Sequence, residues 1–226
     1  GAGFIGGCFV RMVLDEHPDF RVINVDKLTY AGNLENLAGY MDKTNHTFIK
    51  GDICNAILME KVIEDYQIDA IVNFAAESHV DRSIDGPGEF IQTNVTGTFN
   101  MLEAARERGD ALRHFFYASS DALYSKYVHG GIPEPIHEDT MPVVPSGLYS
   151  ITKGLGEDLC LGYHRTFGLP TTIFRFALAR AGDEILDFPQ FYLNHWLGVY
   201  ANKTSPTGQT VYNQLKELEQ SGVELL

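Results

Sequence analysis

The chain has 226 residues, 44% of them hydrophobic and 21% charged, and a net charge of −13. That is the composition of an ordinary globular domain, with enough chain for one good core or a core plus a small second lobe. It excludes the basic footprint of a nucleic-acid binder, any apolar run near the ~18 residues of a membrane span, and a basic-then-apolar secretion signal at the start.

In chain order, Gly1-Ala2-Gly3-Phe4-Ile5-Gly6 fits G-x-G-x-x-G, and Ile5, Phe9 and Val13 then recur at helical spacing. Val22 to Val25 is a short β-branched run ending at Asp26, and Thr47 to Ile49 is a second one, ending near Asp52. Leu58, Val62 and Ile63 share a helical face. Further strand-like runs are Ile71 to Ala76, Phe115 to Ser119 and Thr171 to Phe176. Between them, Phe90 to Arg108 reads as one long helix before Gly109, and Leu148 to Phe167 as another, stopped by Gly168 and Pro170.

Apolar strands alternating with helices imply parallel βαβ units. The expected fold is α/β, a doubly wound parallel sheet of the Rossmann type whose strands are buried on both faces. From Ala177 the character changes. The only Trp, Trp196, joins an aromatic cluster of Phe188, Phe191, Tyr192 and Tyr200; Lys203 to Gly208 reads as a loop and Val211 to Gln220 as an amphipathic helix. The expected division is a dinucleotide-binding domain over 1–176 and the start of a substrate lobe over 177–226.

A glycine-rich turn opening a helix lets the backbone approach a pyrophosphate, and the helix N-terminus offers N–H groups to it. Alone the pattern also fits a plain flexible terminus. Asp26, about twenty residues on at a strand end, raises its value: a carboxylate there accepts hydrogen bonds from ribose hydroxyls and repels a 2′-phosphate, which favours NAD over NADP.

Longer stretches then carry a resemblance. Asp26 to Leu37 reads DKLTYAGNLENL and Ala75 to Ile84 reads AAESHVDRSI; Gly51-Asp52-Ile53, Thr93-Asn94 and HRTFGLP from His164 add to them. From the first residue to about Phe176 the chain resembles the extended short-chain dehydrogenases of the NAD-dependent epimerase/dehydratase family, within it the dTDP-glucose 4,6-dehydratases. The resemblance implies NAD contacts at Gly1, Gly3, Phe4, Ile5, Gly6, Asp26, Lys27, Leu28, Thr29, Asp52, Ile53, Ala75, Ala76, Glu77, Ser78 and Thr93. It implies a nucleotide-sugar substrate, with His79 lining the sugar site. In such proteins a strand and one further glycine precede the position of Gly1, central in the order 3-2-1-4-5-6, and the chain continues past residue 226. The expectation is therefore a piece of a longer gene product, since two unpaired strand edges would otherwise be left inside.

Tyr149 and Lys153 stand at i and i+4 on one helix face. A nearby ammonium, and a positive nicotinamide, favour the phenolate and lower a phenol's pKa from its usual value of about 10. The pair reads equally as a surface helix contact until Ser119-Ser120, at the end of an upstream strand, is added. The resemblance implies that Ser120 bonds the sugar oxygen, that Tyr149 takes the C4 hydroxyl proton as hydride passes to NAD, and that Lys153 holds a ribose. Elimination of water across C5 and C6 and return of the hydride to C6 would regenerate NAD.

The dehydratases carry an acid and a base, Asp-Glu, beside that serine. Here Asp121 can still protonate the leaving hydroxyl, but Ala122 cannot take the C5 proton, and a general base is worth roughly 10²–10⁴-fold. The substrate-binding asparagine falls at Ala179, inside Leu178-Ala179-Arg180-Ala181, and Ser125 replaces a glycine. Three readings stay open: a 4,6-dehydratase with an altered base, a nucleotide-sugar 4-epimerase or related oxidoreductase, and a catalytically weak NAD-binding sensor or scaffold.

The odd cysteine count, Cys8, Cys54 and Cys160, suggests reduced thiols in a cytoplasmic protein, and the eight histidines show no metal-ligand spacing. The family resemblance implies a homodimer through a four-helix interface, for which the helices from Phe90 and Leu148 are the candidates.

Overall fold

The computed structural model describes residues 1–124, 136–138, 141–177, 179, 209–210, 212–213 and 216. The chain divides into two compact units, Gly1–Ala177 and Leu178–Leu226. In the second unit Gln209, Thr210, Tyr212, Asn213 and Lys216 are helical. The aromatic cluster around Trp196, the Lys203 to Gly208 loop, and Ser125, Leu178, Arg180 and Ala181 lie outside the described residues.

The first unit is built of parallel strands. β1 (Val22–Asp26) pairs with β2 (His46–Lys50), Val22 opposite His46 and Asp26 opposite Lys50. β4 (His114–Ser120) pairs with β3 (Ala70–Asn73) on one side and β5 (Thr171–Phe176) on the other. The two sheets, β1-β2 and β3-β4-β5, match the two flanks of the expected strand order. Among the described residues no strand pairs with the second edge of β1 or of β3.

The helices cover these sheets as the apolar spacing dictates. α2 (Ala56–Asp65), α5 (Thr98–Glu107) and α6 (Leu148–Phe167) bury Met59 and Ile63, Leu102 and Ala105, and Cys160 and Tyr163 against Ile71, Phe115 and Tyr117 of the sheet. Each such large apolar side chain is worth about 1.5–3 kcal/mol when fully buried. Strand alternation turns Phe116 to the opposite face, where it stacks with Phe174. There α1 (Phe4–Glu16) brings Phe9 to Phe74, ring centroids 5.3 Å apart, and buries Val10 and Leu14 beside Val22.

Two expected elements differ. The strand expected over Ile71 to Ala76 stops at Asn73, because the Asn73 side chain accepts the Ala75 N–H at 3.1 Å and turns the chain out of the ladder. The long helix expected from Phe90 is interrupted. After short turns α3 (Arg82–Asp85) and α4 (Pro87–Phe90), residues Ile91–Gly97 form a π-helical segment before α5 begins. Such segments insert an extra residue into an α-helix and are frequent at functional sites. Here the segment carries Asn94 into the interior, at 1% exposure.

Candidate active site

The expected site residues gather at the carboxyl ends of the parallel strands, where open α/β sheets bind ligands. Gly1 to Gly3 form the turn before α1, and Phe4 to Gly6 are its first residues. A Cβ at Gly1 would stand 2.1 Å from Asn24 Oδ1, so any other residue there would have to push aside the buried Asn24 side chain. The start of α1 has no side-chain cap and no acidic residue in its first turn. Its early N–H groups and the positive end of its dipole suit a pyrophosphate, so the residues present fit a dinucleotide.

Asp26 braces this turn. Oδ2 accepts the Gly1 nitrogen at 2.9 Å and the Ala2 N–H at 2.7 Å, and Oδ1 accepts the Leu28 N–H at 2.7 Å. Leu28 is left-handed, φ 58°, a strained setting for a branched side chain that clusters at functional sites. Lys27 pairs with Asp52 at 2.7 Å, and Ile53 is buried in the core. The sequence pointed Lys27 at a cofactor; in this structure its ammonium is engaged by Asp52.

The Ala75 to Ser78 segment is held by a residue whose place in the site its sequence motif does not reveal. Asn94 Oδ1 accepts the Glu77 N–H at 2.8 Å, while its Nδ2 donates to the Glu77 carbonyl at 2.9 Å and to Thr152 Oγ1 at 3.0 Å. Thr152 sits between Tyr149 and Lys153 and donates to the Tyr149 carbonyl at 2.8 Å. One buried amide therefore fixes the loop after β3 to the helix bearing the expected catalytic pair. The signal for it was Thr93-Asn94, visible as a motif without a role. Thr93 is half-buried beside it. Glu77 is buried, and its Oε2 has no hydrogen-bond partner.

Ser120 ends β4, and its hydroxyl accepts the Ala122 N–H at 3.1 Å and lies 3.4 Å from Asp121 Oδ1. The Ser120 side chain faces the Tyr149 phenol and favours its ionised form. Burial nevertheless raises the Tyr149 pKa, with Asp121 and Tyr30 adding to the rise. The expected lowering by Lys153 is thereby corrected. Lys153 Nζ donates instead to the Ala118 carbonyl at 2.5 Å and lies 4.4 Å from the Tyr117 ring centroid. Burial pushes that ammonium down to about 8. Spacing put the two side chains on one helix face; packing turned the lysine under β4. His79 and Ala179 are both exposed.

No described helix is long and apolar enough to cross a membrane, and no cluster of three or more metal-ligating side chains occurs among the described residues.

The family model for GDP-mannose 4,6 dehydratase matches residues 1–182. A dTDP-glucose 4,6-dehydratase of Xanthomonas campestris pv. campestris is 45% identical over 178 residues, 75% of this chain and 49% of that protein. One from Escherichia coli is 42% identical over 185 residues, 76% of this chain and 51% of its own. The chain thus spans about half the length of the curated relatives it matches. Among solved structures, DesIV, a dTDP-glucose 4,6-dehydratase from Streptomyces venezuelae with NAD and TYD bound, is 40% identical with a TM-score of 0.69, covering 77% of this chain and 52% of that one. A UDP-glucuronic acid 4-epimerase from Bacillus cereus, in complex with UDP-glucuronic acid and NAD, is 27% identical with a TM-score of 0.67, covering 77% of this chain and 53% of its own.

Proposed function

The chain belongs to the GDP-mannose 4,6 dehydratase family, and on that premise we propose that residues 1–176 are the NAD-binding domain of a nucleotide-sugar 4,6-dehydratase of the dTDP-glucose type, with 177–226 contributing to its substrate lobe. The observation that carries this reading is the meeting of Ser120, at the end of β4, with the Tyr149 phenol on α6, among the same strand ends as the uncapped glycine turn.

Gly1, Gly3, Phe4, Ile5 and Gly6 would hold the pyrophosphate of NAD, Asp26 with Lys27, Leu28 and Thr29 the adenosine end, and Asp52, Ile53, Ala75, Ala76, Glu77, Ser78 and Thr93 the walls of its groove. NAD bound there supplies a hydride acceptor for the C4 carbon of the sugar and a positive charge that favours an ionised phenol. Ser120 hydrogen-bonds the C4 oxygen and holds it against the Tyr149 hydroxyl, whose oxygen takes the C4 hydroxyl proton. Burial keeps the Tyr149 phenol protonated at rest, and the hydrogen bond with Ser120 favours the phenolate it must become to take the C4 hydroxyl proton. Lys153, with its ammonium lowered to about 8 and still mostly charged near pH 7, would hold a ribose hydroxyl. Asp121, exposed at the strand end, donates a proton to the departing 6-hydroxyl. His79, exposed after the Ala75 to Ser78 segment, would line the sugar site.

One observation favours a second reading. Position 122 holds an alanine whose N–H is spent on Ser120, so it brings no carboxylate to the C5 proton. A nucleotide-sugar 4-epimerase, or a related oxidoreductase, needs Ser120, Tyr149 and Lys153 without that base. Incubation of the full-length protein with dTDP-glucose and with UDP-sugars separates the readings. A 4-keto-6-deoxy product, seen by its absorbance in alkali, supports the dehydratase, and a C4 epimer without it supports the epimerase. NAD binding with neither product supports the sensor.

The reading includes a homodimer and a cytoplasmic location. Ile151, Leu155 and Phe167 on α6, with Phe99 on α5, are exposed, and Leu155, Leu159, Tyr163 and Phe167 line one apolar groove. A second copy packing helix against helix would bury them. Leu155→Asp should convert a dimer to a monomer in sedimentation; a wild-type protein that sediments as a monomer at micromolar concentration would remove the dimer. Cys8, Cys54 and Cys160 are free thiols, as suits a reducing compartment.

A further inference from the structure

Behind the reaction centre lies an ion pair that the proposed chemistry does not use. Arg175, opposite Ser119 in the β4–β5 ladder, donates from Nε to Glu157 Oε1 at 3.0 Å and from Nη2 to Oε2 at 2.7 Å. Its Nη1 donates to the Tyr124 hydroxyl. The Glu157 side chain is 5% exposed and that of Arg175 21%. Two charges so far out of water persist only with good geometry and further hydrogen bonds, and the fork of the guanidinium supplies both.

The three partners come from the three elements that frame Ser120 and Tyr149. Glu157 stands one turn beyond Lys153 on α6, on the same helix face. Tyr124 closes the 3-10 turn Asp121–Tyr124 that begins directly after Ser120. Arg175 lies on β5. We propose that Arg175 and Glu157 form a positioning pair for the catalytic residues: the guanidinium ties α6 to the turn after Ser120, and the carboxylate keeps Lys153 charged. This rests on the proposed roles of Ser120, Tyr149 and Lys153 and adds what holds them in register.

Close packing supports the placement. A Cβ at Gly156 would stand 2.1 Å from the Tyr117 hydroxyl, so α6 lies hard against β4 one residue before Glu157. The groups facing Lys153 also single out the carboxylate. Tyr117 from β4 and Cys160 from α6 are both pushed up by burial, the thiol to about 12, and stay neutral near pH 7. Against the cost of burial, Cys160 and Glu157 are the groups that favour the ammonium, and of these Glu157 carries the charge. Arg175 from β5 is the cation that partly offsets it.

Two readouts in the full-length protein test the pair. The first needs no turnover: the titration of Lys153 by NMR in protein with labelled lysine, its signal identified by loss in Lys153→Met. Glu157→Gln should move that titration to lower pH, because the remaining guanidinium then opposes the ammonium; an unmoved titration overturns the electrostatic role. The second is single-turnover nicotinamide reduction by a nucleotide sugar. Tyr124→Phe removes one hydroxyl, leaves the ion pair, and should lower the rate on the order of 10-fold or more, since small misplacements of reacting groups are expensive. A wild-type rate in folded Tyr124→Phe overturns the positioning role. Arg175→Lys keeps the charge but cannot reach both partners, and should lower the rate while leaving Lys153 near its wild-type titration. If Glu157→Gln shifts Lys153 while no sugar reduces nicotinamide even in wild type, the pair's electrostatic role stands and the proposed reaction falls.

Discussion

The cofactor side and the substrate side of the site are built by different physics. On the cofactor side the contacts are short-range and mostly backbone: a glycine turn, the Asp26 carboxylate bonded to Gly1, Ala2 and Leu28, and the Ala75 to Ser78 segment pinned by Asn94. On the substrate side the groups come from β4, β5 and α6, elements distant in sequence, and they meet through Ser120, Tyr149, Glu157 and Arg175. A backbone cradle constrains residue types locally. A side-chain meeting place depends instead on single groups, so a change such as alanine at 122 removes a function and leaves the frame behind it unaltered. The comparison teaches that a backbone cradle and a side-chain meeting place in one site can be altered separately.

The most damaging way to separate the two sides is Tyr149→Phe. We expect nicotinamide reduction to fall by at least the roughly 10²–10⁴-fold of a lost acid–base group, with NAD affinity by calorimetry unchanged. Full turnover in that variant would take the phenol out of the mechanism. Asn94→Ala attacks the frame shared by both sides. It strands the Glu77 N–H and carbonyl and removes the donor to the Thr152 hydroxyl, which keeps its own bond to the Tyr149 carbonyl. With about 1–3 kcal/mol for each buried group left unsatisfied, denaturant unfolding should show a loss of several kcal/mol. A loss below about 1 kcal/mol would mean that water replaces the amide.

Asp26→Asn touches the cofactor side alone. Loss of a charge-assisted acceptor, worth about 1.5–3 kcal/mol, should weaken NAD binding by about 10- to 100-fold while a nucleotide sugar still binds. Equal weakening of both ligands would show that the carboxylate serves the fold and not the cofactor. Ala122→Glu touches the substrate side alone and should raise formation of the 4-keto-6-deoxy product by about 10-fold; no gain would place the change of chemistry in the pocket as a whole.

Lys153 also sets a pH dependence of stability. Lys153 titrates at about 8 in the fold, from an ordinary 10.5. Between those values the unfolded chain holds the extra proton, so this group makes stability rise with pH across that window, and below about 8 its buried charge is a fixed cost. Lys153→Met should therefore gain on wild type near pH 7 and lose that advantage toward pH 10.5, as read from urea midpoints at each pH. A difference flat in pH would mean that the lysine is not titrating in the fold.

Local residue patterns alone determine much of this protein. The strands Val22 to Asp26, His114 to Ser120 and Thr171 to Phe176, the helix Leu148 to Phe167 and the turn at Gly1 follow from residue types within a few positions of one another, because hydrophobic periodicity and glycine's small size act locally. The family, too, is legible in contiguous motifs such as DKLTYAGNLENL. Only the tertiary structure decided where long side chains turned. It wound Ile91–Gly97 into a π segment, sent the Lys153 ammonium to the Ala118 carbonyl, and joined Arg175 to Glu157 and Tyr124. Each of those outcomes depends on burial and on partners tens of residues away, and spacing along one element carries no record of either.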